Sequence, residues 1–362
     1  MPMDYKIYFD IPTDITYLNT PGNGLMPRTH YSWRANREKD FFDVRGNLRD
    51  QQGAFIAEAK AEFATLFNCP LANLFALPNF SFGLHTLVNG LPEGLRYAIL
   101  DEDYPSLNYP IISRGLDYVK VKVDENLEEN IEHTIREKAV DVLLLSIVQY
   151  INGVKIDLSF VQKLKKENPN LLVIADATQY LGTEPFDFLN SGFDAVGGSG
   201  YKWLMAGFGN GYMMISENLK SKIYAESQQG ERPKEEMWSS KSILDTFFEP
   251  GHQDTLSHGT LGQSVRLLKN LGLENIQKYL HELSTYAYEK LEERSLLLPE
   301  IKNRKVKSSL FNVQINPKYY DLLMAEGIKC FPRGTGIRIG LHLYNTKEDV
   351  DKLIAVIDKI EK

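Results

Sequence analysis

Ser199-Gly200-Tyr201-Lys202-Trp203 closely follows an apolar run that ends at Val196 and has the composition of a buried strand. A second stretch, Ile174-Ala175-Asp176-Ala177-Thr178-Gln179, also places polar residues at the end of an apolar run. In an open parallel sheet, ligands collect at the carboxyl ends of the strands. The two stretches therefore predict a site built from strand ends, around which the rest of the chain is organised.

Apolar runs of strand length alternate with helical patterns through the middle of the chain. The segments 127–138 and 159–167 have the pattern of crossover helices, and an amphipathic helix is predicted over 53–68. This alternation predicts an α/β fold with a mostly parallel sheet that helices cover on both faces. The predicted strands are Tyr97–Leu100, Tyr118–Val121, Val142–Leu145, Leu171–Ile174, Phe193–Val196 and Tyr212–Ile215.

The last part of the chain has a different organisation. Gln228–His258 is polar and has little periodicity, which predicts a long ordered loop of the kind that often carries function. Leu261–Glu293 predicts one long helix, or two in series, leading to a C-terminal domain. That domain would contain a strand over 309–315, a helix over 318–326, a strand over 336–343 and a final helix that Thr346 caps.

The composition of the 362 residues restricts the class of protein. Hydrophobic residues make up 43% and charged residues 25%, as in ordinary soluble proteins, and the net charge of −7 offers no basic surface for nucleic acid. Cys69 and Cys330 are too few for a disulfide framework or a four-cysteine zinc site. The seven histidines lack metal-ligand spacing, so no metal is expected. Without a signal-peptide plan or a bilayer-spanning apolar run, a cytoplasmic location is predicted.

Asp176 and Lys202 each allow two interpretations. A carboxylate at the end of an apolar strand needs a cationic or hydrogen-bonding partner. A protonated pyridine nitrogen would serve, but Asp176 could instead cap a following helix. Lys202 lies beside small and apolar residues, where burial would lower its pKa and leave a neutral amine that condenses with an aldehyde. The alternative is a surface lysine with a partly buried stem.

Anion-binding candidates lie in two further segments. Asn79-Phe80-Ser81-Phe82-Gly83 precedes an apolar helical segment, so its backbone N–H groups and the Ser81 hydroxyl could bind phosphate, or could simply begin a capped helix. Arg338 stands in an otherwise apolar strand, where its guanidinium needs either a ligand carboxylate or a structural ion pair. Further polar side chains follow other predicted strands, namely Tyr104, Gln149 and Tyr150.

Together these residues resemble the class V aminotransferase family of fold-type I pyridoxal-phosphate enzymes, which includes cysteine desulfurases, kynureninases and phosphoserine aminotransferases. The resemblance covers the chain from about residue 17 to 360. It implies a large domain over residues 15–258 with a mostly parallel seven-stranded sheet, and a small α/β domain over 259–362 that residues 1–14 join. The most specific matches are Asp176-Ala177-Thr178-Gln179, Ser199-Gly200-Tyr201-Lys202, and Arg338 followed by Tyr344-Asn345-Thr346.

The resemblance also implies a role for each candidate. Lys202 would bind pyridoxal phosphate as a Schiff base and later transfer the α-proton, while Asp176 would bind the pyridinium nitrogen. Arg338 would bind the substrate carboxylate, and Gln149 or Tyr150 would lie near the ring. The remaining contacts would come from Gln179 at the ring hydroxyl, Tyr104 on the ring face, Phe80, Ser81, Ser199 and Tyr201 at the phosphate, and Thr260 at the phosphate of the neighbouring subunit in a homodimer.

Two departures from the family pattern bear on the activity. Tyr201 replaces the histidine that commonly precedes the lysine. Cys330 lies only eight positions before Arg338 in a strand-like stretch, whereas desulfurases carry their catalytic cysteine on a flexible loop well before the arginine. The resemblance therefore favours an aminotransferase that acts between an amino acid and a 2-oxo acid. The alternatives are a desulfurase-, kynureninase- or epimerase-like reaction, or a non-catalytic protein that binds the cofactor on the same scaffold.

Overall fold

A seven-stranded sheet lies at the centre of the computed structural model, which describes residues 4–232, 234–235, 238 and 241–360. A two-residue strand, β1 (Thr16–Tyr17), precedes this sheet in the chain. The central sheet consists, in chain order, of β2 (Leu74–Leu77), β3 (Tyr97–Leu100), β4 (Tyr118–Val121), β5 (Val142–Ser146), β6 (Leu172–Asp176), β7 (Ala195–Ser199) and β8 (Gly211–Ile215).

The strands lie in the order β2-β8-β7-β6-β5-β3-β4. β8 runs antiparallel to both its neighbours, and the other pairs of the sheet are parallel. The six strands predicted from apolar runs are all present, and β2 completes the set. The prediction of an α/β fold with a mostly parallel seven-stranded sheet is confirmed.

Alternate residues of the central strands enter two different cores. In β5, Val142 and Leu144 join one core while Leu143 and Leu145 join the other, and all four side chains are buried. Side chains of a strand point alternately to the two faces of its sheet, so a sheet covered on both faces needs apolar residues at every position. This is why the strands appear in the sequence as unbroken apolar runs.

Helices cover both faces of the sheet, with α3 and α4 contributing to one core and α5 and α6 to the other. The helices of the described residues are α1 (Arg28–Lys39), α2 (Leu48–Leu66), α3 (Phe80–Gly90), α4 (Pro105–Ile112), α5 (Leu127–Lys138), α6 (Leu158–Glu167), α7 (Glu217–Lys220), α8 (Ala225–Gln228), α9 (Ile243–Phe248), α10 (Thr255–Leu271), α11 (Leu273–Glu292), α12 (Pro299–Lys302), α13 (Tyr320–Ala325) and α14 (Lys347–Ile360).

The C-terminal part of the chain has its own antiparallel sheet in the order β11-β12-β9, formed by β9 (Leu310–Val313), β11 (Phe331–Arg333) and β12 (Gly336–Gly340). A further strand, β10 (Ile328–Lys329), pairs in parallel with β1, so the N-terminal segment packs with the C-terminal part. The predicted domain boundary at residue 258 falls inside α10. That helix also contacts α2, where Arg266 pairs with Glu62. The division into two domains at this residue stays a prediction.

The predicted long loop from Gln228 to His258 is wrong, because helix α9 interrupts it and α10 begins before it ends. Ser242 and Asp245 form a capping box at the start of α9, each side chain accepting a hydrogen bond from the other residue's backbone N–H. Phe248 is buried and packs on Phe75 of β2, with ring centroids 4.7 Å apart. A six-residue helix held by a distant strand leaves little periodicity in the sequence. Residues 233, 236, 237, 239 and 240 of the predicted loop lie outside the described residues.

The predicted helical region Leu261–Glu293 consists of two helices in series, α10 and α11. Gly272 separates them with a φ of +80°, a conformation that glycine adopts without a steric penalty. α1 is not indicated by any apolar pattern, since His30 is its one buried residue. Within the described ranges, none of the helices has the length and apolar character needed to cross a membrane.

Candidate active site

The turn that carries Lys202 follows β7 and is held by backbone contacts. The Ala206 N–H donates to the Gly200 carbonyl at 2.9 Å, and the Gly24 N–H donates to the Tyr201 carbonyl at 2.8 Å. A Cβ at residue 24 would lie 2.0 Å from the Lys202 carbonyl oxygen, so a side chain there would clash with backbone. Glycine at this position lets the N-terminal segment approach the lysine closely.

Trp203 links the lysine turn to the C-terminal part. Its ring stacks on His342 at a centroid distance of 5.2 Å, and its carbonyl lies 3.0 Å from His342 Nε2. Burial lowers the pKa of His342 to about 4, so the imidazole is neutral. Because the Leu343 N–H donates to His342 Nδ1, the proton is assigned to Nε2, which donates to the Trp203 carbonyl. The backbone beside Lys202 is therefore fixed from two sides.

The amine of Lys202 is buried, and among the described residues it has no hydrogen bond and no ion pair. Nζ lies 5.7 Å from the ring centroid of Tyr104 and 5.4 Å from that of Tyr201. Burial is the main reason that the pKa of Lys202 falls well below its ordinary value, and the charge of Asp176 opposes this effect. The structure thus excludes the surface-lysine interpretation and presents an amine that is readily neutral and nucleophilic.

Asp176 ends β6, where the register places it opposite Ser146 of β5 and Gly197 of β7. Its Oδ1 accepts a hydrogen bond from the Thr178 N–H at 2.8 Å. Burial raises the pKa of this carboxyl, while Thr178 and Lys202 act in the opposite direction. The helix-cap interpretation does not hold, because no helix lies between Asp176 and β7. The carboxylate instead faces a pocket, where a cationic group would stabilise its charged form.

One pocket collects most of the predicted site residues. They come from the carboxyl ends of β3, β5, β6 and β7 and from the start of α3, which is the convergence expected of strand ends. The pocket is lined by Asn79, Phe80, Ser81, Tyr104, Ser146, Val148, Tyr150, Asp176, Thr178, Gln179, Ser199, Tyr201 and Lys202.

The first turn of α3 lies at one end of this pocket. Asn79 caps the helix with its side chain, and the Phe80 N–H donates to Ser199 Oγ at 3.0 Å. The Ser81 hydroxyl donates to Ser106 Oγ at 2.7 Å. A helix N-terminus with serine hydroxyls beside it is suited to an anion such as a phosphate. The helix is capped as the alternative interpretation requires, but its first turn also lines a pocket.

The structure distinguishes Gln149 from Tyr150. Gln149 stabilises the turn after β5: Nε2 donates to the Glu102 carbonyl at 2.9 Å, and Oε1 accepts from two backbone N–H groups of the turn at 2.6 and 3.1 Å. Tyr150 lines the pocket, and its ring meets the Tyr104 ring edge-on at a centroid distance of 5.1 Å. Of the two candidates, the tyrosine is the one placed to contact a ligand.

Gln179 lines the pocket, but both polar atoms of its side chain have protein partners. Oε1 accepts from Trp203 Nε1 at 2.8 Å, and Nε2 donates to the Pro21 carbonyl at 3.1 Å. Its contact to a ring hydroxyl stays a prediction. In the structure the side chain connects the N-terminal segment, β6 and the lysine turn.

Arg338 lies on β12 and is buried, with Nη1 donating to the Tyr150 carbonyl at 2.9 Å. Its Nε is buried without a hydrogen-bond partner, and the guanidinium has no ion pair within the described part of the chain. Burial, with the nearby charge of Arg333, lowers the pKa of Arg338 to about 10. The structural ion pair is therefore absent from the described residues, and the guanidinium is suited to a carboxylate ligand.

Thr260 is not brought to the pocket. It lies on α10, fully buried, where its hydroxyl donates to the Leu256 carbonyl and accepts from Arg34 Nη1, both at 2.7 Å. Its contact with a neighbouring subunit stays a prediction. Tyr201 does line the pocket, and burial raises its pKa to about 12, which keeps the hydroxyl protonated and able to donate.

Asp103 is a site residue that the sequence patterns did not single out. The carboxylate is buried behind the pocket, where Oδ1 accepts from the Tyr104 N–H at 2.7 Å and from the Ser146 hydroxyl at 2.6 Å. Burial raises its pKa. In the sequence, Asp103 could have been noticed because Asp101-Glu102-Asp103 directly follows β3. The sequence does not reveal that the third of these residues is the buried one.

The family model for class V aminotransferases matches residues 113–353, which is more than half of the chain. The chain therefore belongs to the class V aminotransferase family, as the sequence motifs predict.

Curated relatives carry different names. The uncharacterized aminotransferase YcbU of Bacillus subtilis is 21% identical over 309 residues, 81% of this chain and 80% of that protein. The cysteine desulfurase of Yersinia pseudotuberculosis is 27% identical over 343 residues, 87% of this chain and 82% of that protein. An uncharacterized protein of Schizosaccharomyces pombe is 25% identical over 293 residues, 74% of this chain and 65% of its own length.

Solved structures share the fold. A cysteine desulfurase from Thermococcus onnurineus superposes with a TM-score of 0.83 at 18% identity, covering 96% of this chain and 94% of that one. The family is dependent on pyridoxal phosphate, which is accordingly the cofactor of this chain.

The residues of the pocket fit this cofactor. An unpaired buried amine can react with the aldehyde, a buried carboxylate can neutralise a protonated ring nitrogen, and the first turn of α3 can bind the phosphate. Lys202, Asp176, Ser81 and Ser199 are the groups that would hold it. By contrast, no group of metal-ligating residues is present in the described ranges.

Proposed function

We propose that the protein is an aminotransferase that moves an amino group between an amino acid and a 2-oxo acid. One observation carries this proposal: the buried amine of Lys202, which has no hydrogen bond or ion pair among the described residues, lines a pocket that neither cysteine lines. The buried guanidinium of Arg338 donates to the carbonyl of Tyr150, a residue that lines the same pocket. Bound pyridoxal phosphate would supply the electron sink for reactions at the α-carbon of an amino acid.

Arg338 orients the substrate through its carboxylate. Its Nη1 is held by the Tyr150 carbonyl, while the buried Nε has no hydrogen-bond partner in the part of the chain that the structure describes. A substrate carboxylate would satisfy that donor and offset the cost of leaving a buried charge unpaired. Fixing the carboxylate on one side of the pocket places the α-carbon in a defined position for proton transfer.

Lys202 is the base that would move the α-proton. Its amine can be neutral near physiological pH because burial lowers its pKa, and no other described group holds it in a fixed hydrogen bond. Tyr104 and Tyr201 flank Nζ with their rings and shield it from water. Asp176 provides the negative charge that keeps a ring nitrogen protonated.

A desulfurase-type reaction through a cysteine thiolate is disfavoured by the position of both thiols. Cys69 and Cys330 are buried, and burial raises the pKa of each to about 12. A thiol that is neither exposed nor ionised is a poor nucleophile. The protein would therefore need another route to remove sulfur from cysteine.

A second candidate is a lyase that cleaves a bond at the β-carbon of an amino acid without using a cysteine. The names of the desulfurase relatives support this candidate. It requires the same amine and guanidinium, but it would release ammonia and a 2-oxo acid instead of transferring nitrogen.

We also propose a homodimer located in the cytoplasm. Large apolar side chains are exposed on and after α1, with Tyr31 at 79%, Phe42 at 83% and Val44 at 99% of their accessible surface. Large exposed apolar side chains in one segment of the chain support an interface with a second copy. Sedimentation of the purified protein at several concentrations would give the mass of the particle and test the proposed homodimer.

A screen with nitrogen-labelled amino donors and a panel of 2-oxo acid acceptors tests the activity. Transfer of the label into a new amino acid is the expected result, and its loss in Lys202→Ala but not in Lys305→Ala would link it to the pocket. Labelled ammonia without labelled amino acid would support the lyase. Cofactor binding without either product would favour a non-catalytic binding protein.

A further inference from the structure

A second arginine, Arg333, lies on the same hairpin as Arg338. In the pairing of β11 with β12, Arg338 stands directly opposite Phe331, and Arg333 is two residues further along β11. Residues opposite each other in an antiparallel pair, and residues two apart in one strand, project from the same face. Both guanidinium groups therefore project from the face of the hairpin that includes Phe331.

The surroundings of Arg333 lead towards the pocket. Its guanidinium carbon lies 5.2 Å from the centroid of the Phe331 ring and 5.9 Å from that of Tyr150. The Tyr150 ring lines the pocket and contacts Tyr104. Arg333 is exposed, and its guanidinium lies beside a residue that lines the pocket.

The charges of this region do not balance. Among the residues that the structure describes, neither Arg333 nor Arg338 has a carboxylate partner. Burial is the main cause of the lowered pKa of Arg338, and the charge of Arg333 is the next. The two cations therefore lie close enough to repel each other. Among the described residues that line the pocket, Asp176 is the one carboxylate, and it lies on the cofactor side with Lys202.

A substrate with a single carboxylate would satisfy Arg338 and leave Arg333 without an anion. Arginine is suited to carboxylates because its planar guanidinium can form two parallel hydrogen bonds. A second carboxylate on the same substrate would neutralise the remaining cation and remove the repulsion.

We propose that the substrate is an amino acid with a carboxylate in its side chain, and that Arg333 binds this second carboxylate while Arg338 binds the first. The inference rests on the proposed function, since it names the class of amino acid that enters the same site. It makes Arg333 the residue that determines specificity, next to the ring of Tyr150, a residue that lines the pocket.

Binding of unreactive acids to the cofactor-loaded protein tests this proposal without turnover. Titration calorimetry would compare glutarate, a dicarboxylate, with pentanoate, a monocarboxylate of the same length. We expect glutarate to bind at least about tenfold more tightly, as one additional charge-assisted contact provides. In Arg333→Gln this preference should disappear, because glutarate affinity falls much more than pentanoate affinity, while cofactor absorbance stays unchanged. Arg136→Gln, which changes an exposed arginine on α5, should retain the preference.

Equal binding of the two acids by the unmodified protein would overturn the proposal, as would an unchanged preference in Arg333→Gln. 4-Phosphonobutyrate, which is glutarate with a phosphonate in place of the second carboxylate, separates the two kinds of anion. If it binds more tightly than glutarate in an Arg333-dependent manner, the carboxylate assignment is wrong. Failure of the aminotransferase proposal would give a different result. In that case the donor screen would show no amino transfer, although the protein would still prefer glutarate.

Discussion

Asp103 accepts two hydrogen bonds from Ser146, one from its backbone N–H at 2.8 Å and one from its hydroxyl at 2.6 Å. The same carboxylate accepts from the Tyr104 N–H, so it ties the loop that carries Tyr104 to the end of β5. Ser146 is paired in the sheet with Asp176. A buried carboxylate thus positions two residues that line the pocket, Tyr104 and Ser146.

Replacing Asp103 with asparagine should destabilise the protein. The amide cannot accept all three hydrogen bonds, so at least one buried donor would be left unpaired, at a cost of about 1–3 kcal/mol. Urea unfolding at neutral pH measures the change. Asp101→Asn is a matched control, because Asp101 forms only a partly exposed pair with Lys120 and its loss should cost less than about 1 kcal/mol. Equal stability of the two variants would contradict the proposed positioning role.

The rate at which the protein captures pyridoxal phosphate should depend on pH in a way that an exposed lysine does not show. Burial lowers the pKa of Lys202 from its ordinary value of 10.5, so the reactive neutral amine predominates from the lowered pKa upwards. The rate should be on a plateau well before pH 10.5 and fall as the pH drops through the lowered pKa. Stopped-flow absorbance after mixing protein and cofactor measures it. A rate that keeps rising up to 10.5 would contradict the buried environment.

The stability of the cofactor-free protein should fall as the pH rises through the titration of Asp176. Burial raises the pKa of this carboxyl above its ordinary 3.8, so the folded state binds more protons than the unfolded state between 3.8 and the raised value. The free energy of unfolding is therefore highest below this range and decreases across it, by about 1.4 kcal/mol for each unit of pKa shift. Asp176→Asn should lack this decrease in urea unfolding over a pH series. Asp321→Asn, a change at an exposed position on α13, should retain it.

Gln149 and Tyr150 should differ when each is replaced. Gln149→Ala removes the acceptor of two backbone N–H groups, which should lower the free energy of unfolding by about 1–3 kcal/mol. Tyr150→Phe keeps the ring and the carbonyl that holds Arg338, so stability should change by less than about 0.5 kcal/mol. Thermal unfolding measures the stability of the two variants, and cofactor titration measures how well each one binds the cofactor. A stable Gln149→Ala variant with impaired cofactor binding would reverse the assignment.

Cys330→Ala should leave amino transfer within about twofold of the unmodified protein, because the thiol is buried and does not line the pocket. Removing a buried group of this size costs about 1 kcal/mol of stability. Amino transfer and sulfide release from cysteine are measured in parallel. If the unmodified protein releases sulfide and Cys330→Ala does not, the buried thiol becomes reactive during turnover and the aminotransferase proposal loses its main support.

Several features could be predicted because they depend on local patterns. Six central strands are visible as apolar runs, since a sheet covered on both faces buries every strand position. Asp176, Ser199 and Lys202 were expected at one edge of the sheet, because parallel strands align their carboxyl ends. Arg338 was singled out because it stands in an apolar strand, and the family resemblance added its role. The family match supports both the family and the cofactor.

Other features depend on contacts between distant segments and leave no local signal. α9 was not predicted, because it is stabilised by contacts with distant residues, such as the packing of Phe248 on Phe75. The sequence did not decide whether Gln149 or Tyr150 lies near the cofactor. In the turn after β5, the Gln149 side chain forms hydrogen bonds with the backbone, and Tyr150 lines the pocket.

The sequence by itself determined the fold class, the order of the six predicted central strands along the chain and the residue types at the strand ends, because burial on both faces of a sheet imposes a continuous apolar pattern. Only the tertiary structure decided that the Lys202 amine is buried with no hydrogen bond or ion pair from the described residues, that Asp103 supports the pocket from behind, and that Arg333 shares a hairpin face with Arg338. The physical reason is that burial, charge pairing and pKa depend on what surrounds a side chain, and those surroundings come from segments far apart in the chain.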